Sequence, residues 1–155
     1  MMENDRLTRI DILLLLLHAP GPTKKINEPI IGKTRLQKEL FLAQKQLCDE
    51  KVKRPYPFMP YKIGPYSREL YNDIAWLVFR GLVEERRSPM FVNGIYHEFR
   101  LTHRGISEAE NIIRERRLER IYDTIGSIKQ KFNQMDLTGL VELTHRLFPE
   151  YVRTE

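Results

Sequence analysis

The chain has 155 residues and a formal net charge of +5, with 30% charged and 41% hydrophobic residues. This composition is typical of one globular domain and excludes a disordered chain. The single cysteine, Cys48, excludes an intrachain disulfide and a cysteine metal cluster, which fits a reducing cytoplasmic environment. The basic charge is compatible with nucleic acid or with an acidic protein partner.

A run of apolar residues at positions 12–17 is the first strong pattern. It is too short to cross a bilayer, which takes roughly 18–20 apolar residues. The segment that follows, HAPGPTKK, is a poor signal-peptide cleavage site. We therefore predict a buried helix over residues 7–18 and expect no membrane partner.

A second helix is predicted from GKTRLQKELFLAQKQL, where apolar residues recur at spacings of four, three and four, at Leu36, Leu40, Ala43 and Leu47. The remaining surface of this helix is basic. This basic surface predicts either contacts to a phosphate backbone or an ordinary solvated helix face. It consists of Lys33, Arg35, Lys38 and Lys45. The proline-rich segment after it, CDEKVKRPYPFMP, is predicted as a loop.

A third, amphipathic helix is predicted over residues 68–80, with Ser67 as its N-cap and Gly81 at its C-terminal end. Its expected core face consists of Leu70, Ile74, Leu77 and Val78. Its outer face carries two residues that could contact DNA, Arg68 and Asn72. The same face carries two large aromatic residues, Trp76 and Phe79. The two aromatic residues predict either packing beneath another element, such as the C-terminal helices, or a protein interface.

Two strands are predicted from LVEERR and IYHEFRL. The dipeptide Asn93-Gly94 between them is typical of a tight hairpin turn. Pro89 cannot donate to a strand ladder, so its strand is expected at a sheet edge or in a bulge. Arg86 and Arg87 in this hairpin are predicted as a second set of phosphate contacts.

Thr102 predicts the start of a long helix that ends near Phe132, and Asp136 predicts the start of a last helix that ends before Pro149. The segment RERRLER within the long helix predicts a solvated, ion-paired surface. An apolar stripe runs along the same helix. This stripe consists of Leu118, Ile121, Ile125 and Ile128. It predicts either a homodimer interface or packing into the core of the same chain.

The order of these elements predicts a mainly α-helical protein. Residues 1–105 are expected to form a winged-helix-like core of three helices and a β-hairpin wing. Residues 106–155 are expected to form a helical extension packed on that core, as one globular unit. The proline-rich insert between the second and third helices departs from the usual short turn.

Four motifs together carry a resemblance to a known family: KTRLQKELFL, the turn GPYS, the helix ending in GLV, and LTHRG. They resemble the Panacea-type antitoxin domain, which is SocA-like and phage-associated, and its YwgA-like relatives. The matching residues are Lys33, Thr34, Leu36, Gln37, Lys38, Phe41, Leu42, Gly64, Pro65, Tyr66, Ser67, Gly81, Leu82, Leu101, Thr102 and Gly105. The resemblance covers residues 30–105 well and the tail HRLFPEY weakly. It implies a non-enzymatic winged-helix-like domain that neutralises or regulates partners, with Gly64, Pro65, Tyr66, Ser67 and Gly81 as structural motif residues.

The sequence contains no recognisable catalytic, phosphate-loop or metal-binding spacing, so we expect no enzyme activity and no cofactor. It predicts a regulatory protein that binds double-stranded DNA or acts like an antitoxin. The alternative is a protein–protein adaptor that neutralises a partner such as a toxin and uses the same scaffold without binding DNA.

Overall fold

The computed structural model describes residues 7–47, 51–89 and 95–153. This part of the chain is mainly helical, with a small sheet. The helices are α1 (Arg9–His18), α2 (Lys33–Leu47), α3 (Arg68–Phe79), α4 (His103–Glu115), α5 (Glu119–Phe132) and α6 (Leu137–Leu147), followed by a 3-10 turn at Pro149–Tyr151. The strands are β1 (Leu7–Thr8), β2 (Ile30–Ile31), β3 (Val52–Lys53), β4 (Met59–Tyr61), β5 (Gly64–Tyr66), β6 (Val83–Pro89) and β7 (Ile95–Leu101).

Helix α1 is buried on nearly all sides, as its sequence predicts. It begins at Arg9 because Thr8 and Asp11 form a capping box. The Thr8 hydroxyl accepts a hydrogen bond from Asp11 N (3.1 Å), and the Asp11 carboxylate accepts one from Thr8 N (2.9 Å). No helix in the described ranges is long and apolar enough to cross a membrane.

The largest sheet has the antiparallel order β2-β7-β6. Strand β6 lies at its edge, so Pro89 is in an edge strand as predicted. The predicted turn residues Asn93 and Gly94 lie outside the described residues. The prediction of a loop throughout the proline-rich segment is wrong, because β4 pairs with β5 and β3 pairs with β1.

The two ends of α3 are fixed differently from each other. At the C-terminal end Gly81 has a φ of +76°, and its N–H donates to Val78 O (3.0 Å), as expected for its position. At the N-terminal end the Ser67 side chain makes no capping hydrogen bond. Instead Gln37 of α2 clamps the Ser67 backbone, accepting from its N–H (2.8 Å) and donating to its carbonyl (2.9 Å). Ser67 therefore occupies the predicted N-cap position, but Gln37 holds its backbone and its side chain does not cap the helix.

The predicted long C-terminal helix is two helices, α4 and α5. The break lies between them, where Arg117 has a φ of +54°. The Arg116 guanidinium reaches back to the Asp11 carboxylate of α1 (2.6 Å), so this residue is not part of a purely solvated surface. The tertiary contact fixes the position of the break relative to α1.

The apolar stripe predicted as a possible dimer seam closes the chain's own core. Leu118 and Ile125 are buried in the same cluster as the leucines of α1, and Ile121 and Ile128 pack against that cluster. A homodimer through this stripe is therefore unsupported. The predicted boundary at residue 105 falls within α4, and core residues from both sides of it share this cluster.

Candidate interfaces on α3 and the β6–β7 hairpin

Among the described residues, Phe79 on the outer face of α3 is the most exposed large hydrophobic side chain, at 86%. Trp76 is 48% exposed and Val78 is 39% exposed. The expectation that the aromatics pack beneath another element is wrong, and so is the assignment of Val78 to the core. The reason is that α4 and α5 pack against α1, and α5 also against α2, which leaves this face of α3 uncovered.

A groove of about 220 Å³ lies beside Trp76, between α1, α3 and α4. Its apolar wall is formed by Ile10, Leu14, Trp76, Leu77, Leu82 and Ile112. Its charged lining consists of Asp11, Arg80, Arg104 and Glu108, and the Arg80 guanidinium lies 5.1 Å from the centroid of the Trp76 ring. An apolar surface with an arginine stacked on its central aromatic ring is typical of a protein-binding surface.

The N-terminal half of α3 is polar. Arg68 and Asn72 are both exposed and lie one helical turn apart, so they share a face. Asp73 is turned away from phosphate contact, because its carboxylate pairs with Arg9 (2.9 Å) and accepts from the Tyr56 hydroxyl (2.7 Å). This half of the helix is therefore less acidic at its outer surface than its sequence suggests.

The basic face predicted on α2 does not form as expected. Lys33 is exposed, and its ammonium lies 5.2 Å from the ring centroid of Tyr71, next to the polar half of α3. Arg35 is half-buried and donates to Phe132 O (2.7 Å), which ties α2 to the end of α5. Lys38 is fully buried, so its assignment as a phosphate contact is wrong.

Lys38 instead holds the Gly-Pro turn. Its ammonium donates to Pro65 O (3.1 Å), and burial lowers the pKa of Lys38 to about 8. Gly64 precedes this carbonyl with a φ of +101°, and its α-carbon faces the Lys38 side chain. The turn residues of the GPYS motif therefore join α2 to the start of α3.

The β6–β7 hairpin presents Arg86 and Arg87, whose side chains are 58% and 70% exposed. Each has an acidic neighbour: Arg86 pairs with Glu84 (2.7 Å) and Arg87 with Glu85 (3.9 Å). Exposed ion pairs of this kind contribute at most about 1 kcal/mol, so both arginines remain able to exchange their partners for a phosphate.

A buried polar cluster between α2, α5 and the segment before β2 was not predicted. Lys129 is fully buried and its ammonium donates to Leu17 O (2.9 Å). Glu28 accepts from Thr23 N (2.8 Å) and from the Asn133 side chain. Glu39 is also fully buried, and within the described residues neither of its carboxylate oxygens has a hydrogen-bond partner.

Burial and neighbouring groups shift the pKa values of Glu39, Lys129 and Glu28 in this cluster. Burial raises the pKa of Glu39 to about 8, against the opposing effect of Lys129 and Arg35. Burial lowers the pKa of Lys129 to about 8, against the opposing effect of Glu39 and Glu28. Burial also opposes ionisation of Glu28, but hydrogen bonds from Thr23 and Asn133 outweigh it and lower its pKa.

This cluster is closed to solvent, so it stabilises the packing of α5 on α2 and offers no surface to a ligand. A signal for it was present in the sequence, since Lys129 lies four residues after Ile125 in the apolar stripe of α5. Among the described residues, no group of three or more His, Cys, Asp or Glu side chains could hold a metal ion.

No family model and no curated protein matches this chain. The motif resemblance noted in the sequence therefore remains a prediction.

Proposed function

We propose that the protein is a non-enzymatic regulator that binds another protein through the outer face of α3. The scaffold we propose for it is a winged helix. The order α1, β2, α2, α3, β6, β7, with β3, β4 and β5 inserted between α2 and α3, supports this assignment. The pairing of β2 with β7, the second strand of the hairpin, also supports it.

The observation that carries the proposal is the exposure of Phe79 (86%) together with Trp76 (48%) on one helix. Large exposed aromatic residues in a cluster mark interaction sites, because leaving them in water is costly and binding energy concentrates in such side chains. The partner that fits has apolar residues for the groove beside Trp76, whose two acidic and two basic lining residues favour neither sign of charge.

An antitoxin-like role is the form of regulation that the motif resemblance favours, with a toxin as the partner. A cytoplasmic location belongs to the same proposal, because the single Cys48 suits a reducing compartment.

The test is a pair of variants, Trp76→Ala and Phe79→Ser. Because both side chains are largely exposed, each change is expected to alter the free energy of unfolding by less than about 1 kcal/mol. The protein purified from its native host is expected to lose one stoichiometric partner in both variants. Ile26→Ser, at a residue that is 50% exposed in another part of the chain, is the matched control and should keep that partner. Cooperative unfolding at much lower denaturant for Trp76→Ala would instead identify Trp76 as a core residue.

Double-stranded DNA is the second candidate partner. The polar half of α3 supports it, because Arg68 and Asn72 are exposed and Lys33 stands beside them at Tyr71. The exposed Arg86 and Arg87 in the hairpin would supply phosphate contacts outside the groove.

For DNA binding, we expect the anisotropy of a labelled random duplex to rise with protein at low salt and to fall steeply as salt is added. Arg86→Glu with Arg87→Glu should weaken this binding at least about tenfold, since each removes a phosphate contact and adds repulsion. Lys24→Glu with Lys25→Glu changes the net charge equally at two exposed lysines away from this surface, and should have a much smaller effect. No salt-dependent binding to any duplex would exclude the DNA candidate.

A further inference from the structure

A second groove shares no lining residue with the groove beside Trp76. It has a volume of about 560 Å³ and lies between α2, α5 and α6. Its lining is Leu42, Lys45, Gln46, Ser127, Ile128, Lys131, Phe132, Leu147 and Phe148. Five of these residues are apolar: Leu42, Ile128, Phe132, Leu147 and Phe148. Leu147, the last residue of α6, is 55% exposed.

The charge of this groove has one sign. Lys45 projects from α2 and Lys131 from α5, and the lining formed by the described residues contains no carboxylate. Within the described ranges neither lysine forms an ion pair. These two lysines therefore place positive charge on two of the helices that border the groove, α2 and α5.

Aromatic rings hold both lysines at the groove. The Lys45 ammonium lies 5.6 Å from the Phe41 ring centroid and 5.4 Å from that of Tyr151. The Lys131 ammonium lies 5.4 Å from the Phe132 ring centroid. Cation–π contacts of this kind favour a fixed position over free extension into solvent, so the charges are preorganised for an anionic partner.

The shape of the groove selects the conformation of its occupant. All its lining residues belong to α2, α5 and α6 or to Phe148 at the end of α6, so no strand edge is available to extend by β-pairing. An apolar groove between helices is instead the kind of site that accepts the apolar face of an amphipathic helix.

We propose that this groove binds an acidic amphipathic helix of a partner protein. Apolar residues of that helix would pack on Ile128, Leu147 and Phe148. Glu or Asp residues flanking its apolar stripe would pair with Lys45 on one side and Lys131 on the other. This site is separate from the α3 face, so the two proposals stand or fall independently.

The probes are two labelled synthetic peptides of about 18 residues, long enough to form a helix when bound. Both carry the same stripe of Leu and Phe, with Glu on the polar face of one and Lys on the polar face of the other. Fluorescence anisotropy is expected to show that the acidic peptide binds at least about tenfold more tightly than the basic one. Lys45→Glu with Lys131→Glu should reverse this preference, and Leu147→Asp should weaken binding of the acidic peptide.

Lys25→Glu with Lys62→Glu is the matched control, because it changes the net charge equally at two exposed lysines outside the groove, and it should keep the preference. Trp76→Ala should bind the acidic peptide as the unchanged protein does, which separates this site from the α3 face. Circular dichroism verifies that each variant is folded. Equal binding of the two peptides, no binding of either, or an unchanged preference in the Lys45→Glu, Lys131→Glu variant would overturn the proposal. So would a dimer in sedimentation velocity that Leu147→Asp dissociates, because the occupant would then be a second copy of the chain.

Discussion

Replacement of Lys129 by methionine is expected to lower the free energy of unfolding by about 1–3 kcal/mol. Lys129 is fully buried, and its charge lies close enough to Glu39 and Glu28 to influence their ionisation. Its removal leaves Leu17 O without its donor and takes away a cation that helps to lower the pKa of Glu28. The loss arises from stranding these groups, because methionine fills nearly the same volume.

Urea denaturation of the two proteins at neutral pH measures this effect. Lys131→Met, at the exposed lysine two residues further along α5, is the control and should change stability by less than about 0.5 kcal/mol. The double variant Lys129→Met with Glu39→Leu should recover part of the loss, because it replaces two buried polar groups by apolar ones. A Lys129→Met protein as stable as the unchanged protein would contradict a stabilising contact between Lys129 and Leu17 O.

Replacement of Glu39 by glutamine is expected to change how stability depends on pH. Burial raises the pKa of Glu39 from 4.5 to about 8 in the folded protein. An acid with a raised pKa in the folded state stabilises the fold while it is protonated. Its contribution is therefore complete below pH 4.5 and is lost as the pH rises through about 8. Glutamine cannot ionise, so the variant should lack this loss.

Unfolding curves between about pH 5 and pH 8 test this prediction. Across this range, the free energy of unfolding of Glu39→Gln should rise relative to that of the unchanged protein by on the order of 3 kcal/mol. The range stops at pH 8 because Lys129 has the opposite effect above it. Its lowered pKa makes the folded protein bind fewer protons between about 8 and 10.5, so its contribution to stability rises there. Glu142→Gln, at an exposed residue of α6, is the control and should follow the unchanged protein. Parallel pH profiles for Glu39→Gln and the unchanged protein would contradict a protonated, buried Glu39.

The parts of the fold that depend on local pattern could be predicted from the sequence. The spacing of Leu36 and Leu40 places α2, and the spacing of Leu70 and Ile74 places α3, because apolar residues at helical intervals need a buried face. Gly81 marks the end of α3 for a local reason too, since only glycine adopts its positive φ readily.

The features that depend on distant parts of the chain could not be predicted in this way. Lys38 is buried because the β4–β5 hairpin folds over α2 and offers it the Pro65 carbonyl, 27 residues further along the chain. The break between α4 and α5 contains no proline or glycine and is accompanied by the contact of Arg116 with Asp11. The exposure of Trp76 depends on where the C-terminal helices pack. A helical wheel of α3 alone gives no information on that packing.

The measurement that tests the α3 interface most directly is site-specific photocrosslinking in the native host, with a photoreactive amino acid at position 79. We expect one discrete protein adduct from position 79 and the same adduct from position 76. A probe at position 130, an exposed site on α5, should give none. A probe at position 86 reports on the DNA candidate. No adduct at position 79 above that at position 130, together with a nuclease-sensitive adduct at position 86, would contradict a protein-binding α3 and assign the protein to DNA.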